Sequence, residues 1–181
     1  MAGPEVSQSG FLHDYSQLKP YPEVEGAMLY ENPAKSLKGY DKFIVDPVLA
    51  HFAPDTEGTA IDPDDLKALT ESKRYQVVNA PGAGVARLRI AITGIKKSIP
   101  ALNIEPRMKM IGAGLGGAAM EAEAIDSVSK ERLAAIVVSE AGSRLGFTAG
   151  LSTFGHAKEV MDGWAKRFVE RLDKLHGYTN K

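Results

Sequence analysis

The residues best suited to chemistry recur at a spacing of two. Glu121 and Glu123 alternate with alanine, and Arg87 and Arg89 alternate with apolar residues in the segment 85–95. On extended backbone, residues two apart share one face. If the two segments are sheet neighbours, these four side chains form a charged ladder. Glycosidases use paired carboxylates of this kind, one as acid and one as base or nucleophile. The same residues also make ordinary cross-strand ion pairs on a solvated face, and we read them that way. A concave pocket around the carboxylates would favour the catalytic reading, and a flat exposed face the structural one. Asp14 and Asp46 also lie among apolar neighbours. Either suits a buried acid poised for chemistry, but an Asp that caps a turn is the commoner use. Glu121, Glu123, Arg87, Arg89, Asp14 and Asp46 are therefore candidate binding residues, and no catalytic residue is assigned.

Other motifs are weaker. Gly112-Ala113-Gly114-Leu115-Gly116-Gly117 fits the dinucleotide pattern G-x-G-x-x-G. That pattern needs a preceding strand, a following helix and further βαβ units, and too little helical sequence follows to supply them. A glycine-rich loop is the simpler reading. His13, His51, His156 and His176 lack ligand spacing, so no metal is expected. Neither a G-x-S-x-G elbow nor a P-loop occurs, and no cofactor is expected.

Composition narrows the classes further. The chain has 181 residues, 44% of them hydrophobic, and a net charge of −1. This suits one globular domain with a real core and gives no general attraction for nucleic acid. With no cysteine, disulfides, thiolate metal sites and cysteine nucleophiles are excluded. No apolar run is long enough to cross a bilayer as a helix. Neither an internal repeat nor a signal peptide is visible.

The elements that must position the candidates follow from periodicity. Residues 118–141 read as two antiparallel strands around a polar turn at Ser127, Ser129 and Lys130. Ile136, Val137 and Val138 mark the return strand. Ala, Met and Glu favour helix in the first strand, but the segment is short and lacks a 3.6-residue stripe. Residues 85–95 alternate plainly and are expected to form a hairpin with a strand at 75–79. Residues 42–48 read as a strand ended by Pro47.

Asp62, Pro63, Asp64 and Asp65 carry helix-start signals. The surest helix spans 156–176, with Val160, Met161, Trp164, Ala165, Phe168, Val169, Leu172 and Leu175 on one stripe. Ala122 and Ala124 would let it approach the sheet closely. Residues 96–117 and 142–155 read as loops, with a short strand at 107–111. Residues 1–40 form an extended amino-terminal arm in which Phe11, Leu12, Tyr15 and Leu18 dock on a single domain, 41–181. The expected fold is α+β: a single-layer, mainly antiparallel sheet of about five strands with two helices packed on one face.

Several segments, in order, resemble a bacterial family of lipoprotein-like chains, domain-of-unknown-function 3313. They are Ser9-Gly10-Phe11-Leu12 with Asp14-Tyr15-Ser16, Gly39-Tyr40-Asp41, Val45-Asp46-Pro47-Val48 and Tyr75-Gln76-Val77-Val78. Leu88-Arg89-Ile90-Ala91-Ile92-Thr93, Met120-Glu121-Ala122-Glu123 with Asp126, Arg132-Leu133-Ala134-Ala135 and Trp164-Ala165 complete the set. The likeness runs over nearly the whole chain from Ser9. It implies a secreted protein with a lipid-modified cysteine at its mature amino terminus. Because this sequence has none, the expectation is that a leader and a lipidated cysteine precede Met1 in the native form. An open reading frame beginning at Met1 would refute this. The resemblance supplies no catalytic residues. It implies a non-enzymatic binding or assembly module, periplasmic or anchored to the outer membrane. Its expected partner is an envelope protein or other envelope component, with self-association into a homo-oligomer and no nucleic acid. The alternative is a small hydrolase or ligand binder using the carboxylates of the central hairpin.

Overall fold

A computed structural model describes residues 9–23, 27–52, 71–96, 117–141 and 155–178. In chain order they form β1 (Lys19–Pro20), β2 (Ala27–Glu31), β3 (Lys42–Val45), β4 (Leu49–Phe52) and β5 (Gln76–Val77). Then come β6 (Val85–Lys96), β7 (Gly117–Asp126), β8 (Arg132–Ala141) and the helix α1 (Gly155–His176). The eight strands make one sheet in the order β1-β2-β8-β7-β6-β3-β5, and β4 pairs with β6 beyond β3.

The centre of the sheet follows the alternation. β7 and β8 pair antiparallel, Ala122 opposite Ile136, and β6 pairs antiparallel with β7, Arg89 opposite Glu123. The turn between β7 and β8 is closed by Asp126. Its carboxylate accepts the amides of Val128 and Ser129 at 2.9 and 2.8 Å, while Lys130 adopts φ 64°. A local side-chain acceptor of this kind replaces the backbone partners that a turn loses.

Between Ala124 and Ile125 the register with β8 shifts, so Arg132 faces Ile125 and Leu133 is the extra residue. This bulge puts Leu133 into the helix-side core and leaves Arg132 on the Glu123 side.

Among the described residues the sheet is mixed, with four antiparallel pairings that include the longest and three short parallel ones. β3 runs parallel to both β5 and β6, and β4 runs parallel to β6. The expected hairpin between residues 75–79 and β6 does not form, because β3 lies between the two strands. Its residue Phe43 is wholly buried and meets the Tyr75 ring edge-on at 5.8 Å. Burying two rings together outweighs the local convenience of a hairpin. Strand number exceeds the expected five because β1, β2 and β4 are too short to show a pattern, whereas β5 lies within the strand read at 75–79. Two of them come from the segment read as an extended arm. β2 covers the outer edge of β8 in full register, Ala27 opposite Val138 through Glu31 opposite Ala134. An uncovered edge on so apolar a strand would invite another chain.

Among the described residues there is one complete α-helix where two were expected. The helix expected to begin at Asp62 lies outside them, apart from its end: Glu71 is helical and Ser72 starts a turn. The glycine motif at 112–117, except Gly117 at the start of β7, the strand at 107–111 and the loops within 97–116 and 142–154 also lie outside the described residues.

α1 packs its carboxy-terminal half on Phe43, Tyr75, Ala86, Leu88, Ala124 and Leu133, with Leu172 at the centre. It ends in a Schellman turn at Gly177, φ 78°. Tyr178 N–H donates to Asp173 O at 2.8 Å and Gly177 N–H to Lys174 O at 3.2 Å. The sheet is not a single layer with one bare face. Phe11, Leu12 and Leu18 bury themselves against Ala91, Ala135 and Val137 on the side away from α1.

Candidate functional site

The six candidate residues fall mostly on the face covered by residues 9–18. Glu121 is wholly buried there. Its Oε1 accepts the Ser9 amide at 2.7 Å and its Oε2 accepts the Tyr15 hydroxyl. Tyr15 Oη in turn accepts the Gly10 amide at 2.8 Å. Glu123, also buried, takes Arg89 on one oxygen and Arg132 Nε on the other at 3.0 Å. The Arg132 guanidinium then donates to the carbonyls of Leu12 at 2.6 Å and Asp14 at 2.9 Å. Arg89 lies over the Phe11 ring at 5.1 Å. The expected charged ladder therefore exists as a pairing of Arg89 with Glu123, but it is roofed by the chain rather than solvated. Both carboxylates hold down residues 9–15 through charge-assisted bonds, which are among the stronger hydrogen bonds.

The remaining candidates stand apart. Asp14 accepts the Ser16 amide and hydroxyl at 2.9 and 2.6 Å, and these bonds, hydroxyl first, hold its carboxyl below its ordinary range. It is a turn cap. Arg87 pairs with Asp46 at 2.5 Å, with both side chains partly exposed. Asp46 N–H also donates to Leu88 O at 3.0 Å, which fixes the exit from β3.

Sequence reasoning missed other polar centres. Asp126 accepts the Tyr40 hydroxyl at 2.6 Å and pairs with Lys35 at 2.9 Å. These two bonds and the turn amides hold its carboxyl far below the usual carboxylate range. Asp173 is buried and receives Arg74 at 2.6 Å and the Tyr75 hydroxyl at 2.8 Å. Burial first, and this bond second, push the Tyr75 phenol well above its ordinary value. The signal for Asp173 was available: with Val169, Leu172 and His176 it falls at helical spacing on the apolar stripe, where an acid needs a partner. Among the described residues, no three His, Cys, Asp or Glu side chains converge as a metal site.

On the opposite face, α1 does not fill the space beneath it. A cavity of about 490 Å³ lies between helix and sheet. Ala122, Ala124 and Ala134 floor it, Leu88, Ile136 and Val138 extend the apolar surface, and Trp164 and Phe168 roof it. Three alanines under a helix leave volume that its side chains do not reach, in a protein interior that is normally close-packed. Charged residues also line it, and two ion pairs form among them. Arg171 holds Glu31 through Nη2 at 2.8 and 2.9 Å, and Lys174 lies 3.8 Å from Glu23. Tyr21 donates to Glu23 at 2.6 Å beneath the Arg171 guanidinium. Trp164, almost fully buried in the cavity wall, has an indole N–H with no acceptor among the described residues. No helix in the described part is long and apolar enough to cross a membrane.

Comparison with known proteins follows the fold. A family model described as "Protein of unknown function (DUF3313)" matches residues 7–168. No curated protein matches the chain. Among solved structures, the chain is similar to the PelC dodecamer from Paraburkholderia phytofirmans. That likeness has 14% identity over 85% of this chain and 98% of that one, with a TM-score of 0.44. It is similar to protein XCC0632 from Xanthomonas campestris, of family DUF330, at 14% identity over 80% and 89%, TM-score 0.43. It is also similar to lipoprotein GNA1162 from Neisseria meningitidis, at 15% identity over 73% and 99%, TM-score 0.38.

Proposed function

This chain belongs to the family described as "Protein of unknown function (DUF3313)", and on that premise we propose that it is a non-enzymatic binding module of the bacterial cell envelope. The cavity between α1 and the sheet is its binding surface. One observation carries the reading: the large concave space is lined mostly by apolar side chains, and two ion pairs, Arg171 with Glu31 and Lys174 with Glu23, stand among its lining residues. Binding pockets look like this, whereas a hydrolytic site needs titratable groups converging in the cleft. The Glu121 and Glu123 carboxylates are engaged by Ser9, Tyr15, Arg89 and Arg132. Glu121, Glu123, Arg87, Arg89, Asp14 and Asp46 are then scaffold residues. They bind the chain's own amino-terminal segment and one another.

The envelope location rests on the family resemblance, in which members carry a lipid-modified amino terminus. Self-association belongs to the same proposal. Among the described residues β5 ends the strand order and Val77 on it is exposed, an edge that a second copy would pair with.

Photocrosslinking in the native host tests the reading. A photoreactive residue in place of Ile136, in the cavity wall, is expected to give adducts in the envelope fraction. The same residue in place of Val128, on the exposed hairpin turn, is expected to give none. Recovery of the protein in the cytoplasm without adducts at Ile136 would overturn the proposal. A hydrolase using the hairpin carboxylates would instead lose turnover in Glu121→Gln and Glu123→Gln while keeping its fold.

A further inference from the structure

We propose that residues 9–18 are a latch: they leave the sheet as one unit while the sheet and α1 stay folded, and so bare a charged face.

The two faces of the sheet differ in what water would meet. Two rows of side chains cross β6, β7 and β8 beneath residues 9–18. Ala91, Glu121 and Val137 make one, and Arg89, Glu123 and Ala135 make the other. Each row has an acid at its centre. On the α1 side the neighbouring rows are Leu88, Ala124 and Ala134, then Ile90, Ala122 and Ile136. That face is apolar throughout, and uncovering it is opposed by the hydrophobic effect alone. The latch face is balanced differently. Glu121 and Glu123 are buried, and a carboxylate held in a dry site has given up its hydration. Opening exposes Phe11, Leu12 and Leu18, which opposes it, but returns both acids to water.

The attachment is also of a kind that lets go. Among the described residues, no backbone–backbone hydrogen bond joins residues 9–18 to the sheet. Their own are local: His13 N–H donates to Gly10 O at 3.2 Å, and Leu18 N–H to Tyr15 O at 3.1 Å. Polar contact with the sheet runs through side chains instead. Glu121 accepts the Ser9 amide and the Tyr15 hydroxyl, and Arg132 donates to the Leu12 and Asp14 carbonyls. A segment without ladder bonds opens at lower free energy than the strands beneath it. His13 holds φ 60°, a left-handed conformation that is costly for a residue other than glycine, and opening relieves it. Two catches spanning residues 9–15 make the release concerted, because Glu121 grips both ends of that stretch.

The chain has no cysteine, so a single introduced thiol reports one place in the full chain. Ala91→Cys and Ala135→Cys put it under the latch, on β6 and β8. Ala86→Cys puts it in the core beneath α1, also on β6. All three alanines are buried. Labelling with a thiol reagent, scaled to the same variant unfolded in urea, gives an opening constant at each position. The two latch positions are expected to share one constant, at least about tenfold larger than that at Ala86→Cys. Dilute urea should change it little, because a short segment exposes little surface, whereas labelling at Ala86→Cys should rise steeply. Adding Glu121→Gln should raise both latch constants by the same factor, about tenfold, the share of one charge-assisted hydrogen bond.

Hydrogen exchange in the unmodified chain covers the case in which a thiol disturbs the packing. The amides of His13 and Leu18 should show one common protection with the same shallow dependence on urea. The proposal is overturned if Ala91→Cys labels no faster than Ala86→Cys, or if the two latch positions answer Glu121→Gln differently. It is equally overturned if His13 and Leu18 exchange only together with β7.

Discussion

Glu121 has no exposed surface, and each of its carboxylate oxygens is engaged by the segment it anchors. Removing it takes the acceptor from the half-buried Tyr15 hydroxyl and from the amide of Ser9. Glu121→Ala is expected to cost about 1–3 kcal/mol, measured by urea unfolding. Amide exchange should quicken at Leu12 and Leu18 more than in β7 itself. An unchanged exchange pattern would show that residues 9–18 hold without this anchor.

Asp126 makes a pH prediction. Its folded carboxyl is depressed by Tyr40, then Lys35, then the turn amides. A depressed acid contributes stability that is complete above the unfolded value, about 3.9, and is lost as pH falls through the folded one. Asp126→Asn should therefore be less stable than the parent at neutral pH, with the difference narrowing below about pH 4. A constant difference across that window would refute the assignment. Both predictions concern residues whose types were plain in the sequence. Their partners, 86 and 106 positions away in Tyr40 and Tyr15, were not.

α1 has two different halves. Its carboxy-terminal turns sit on close-packed rings, with Phe168 edge-on to Phe43 at 6.2 Å and Leu172 buried beside Leu133. Trp164 borders open volume instead. By size alone Trp164→Ala would be the worst change in the helix, roughly 3–5 kcal/mol. The cavity argues otherwise, because a side chain beside a void has fewer contacts to lose. Leu172→Ala is expected to cost about 2–5 kcal/mol and at least as much as Trp164→Ala, compared by thermal or urea unfolding of both variants. A clearly larger loss at Trp164 would mean that the cavity is closed in solution. The stripe that makes this helix was legible from spacing, and so was the β7–β8 hairpin. The parallel pairing of β3 was not: two residues of β5 carry no period, and Phe43 chose its neighbours by ring packing.

At the scale of the whole molecule, the sheet has a covered edge at β8 and a short terminal strand at β5. If self-association uses that terminal strand, Val77→Lys should reduce the mass seen by light scattering without lowering the unfolding temperature. A charge on an edge strand blocks pairing and leaves a monomer intact. A mass independent of both concentration and this substitution would remove the edge from the proposal. The sequence alone determined the central hairpin, the amphipathic helix, the α+β class and the family, because each depends on local period or on an ordered set of short segments. Only the tertiary structure decided which face is open. Residues 9–18 cover the charged face, since a buried acid must find donors and they lie there. The alanines that looked like a means of close approach leave a cavity instead. Whether a small side chain draws a helix in or leaves space beneath it depends on what else props the helix up, and period carries no record of that.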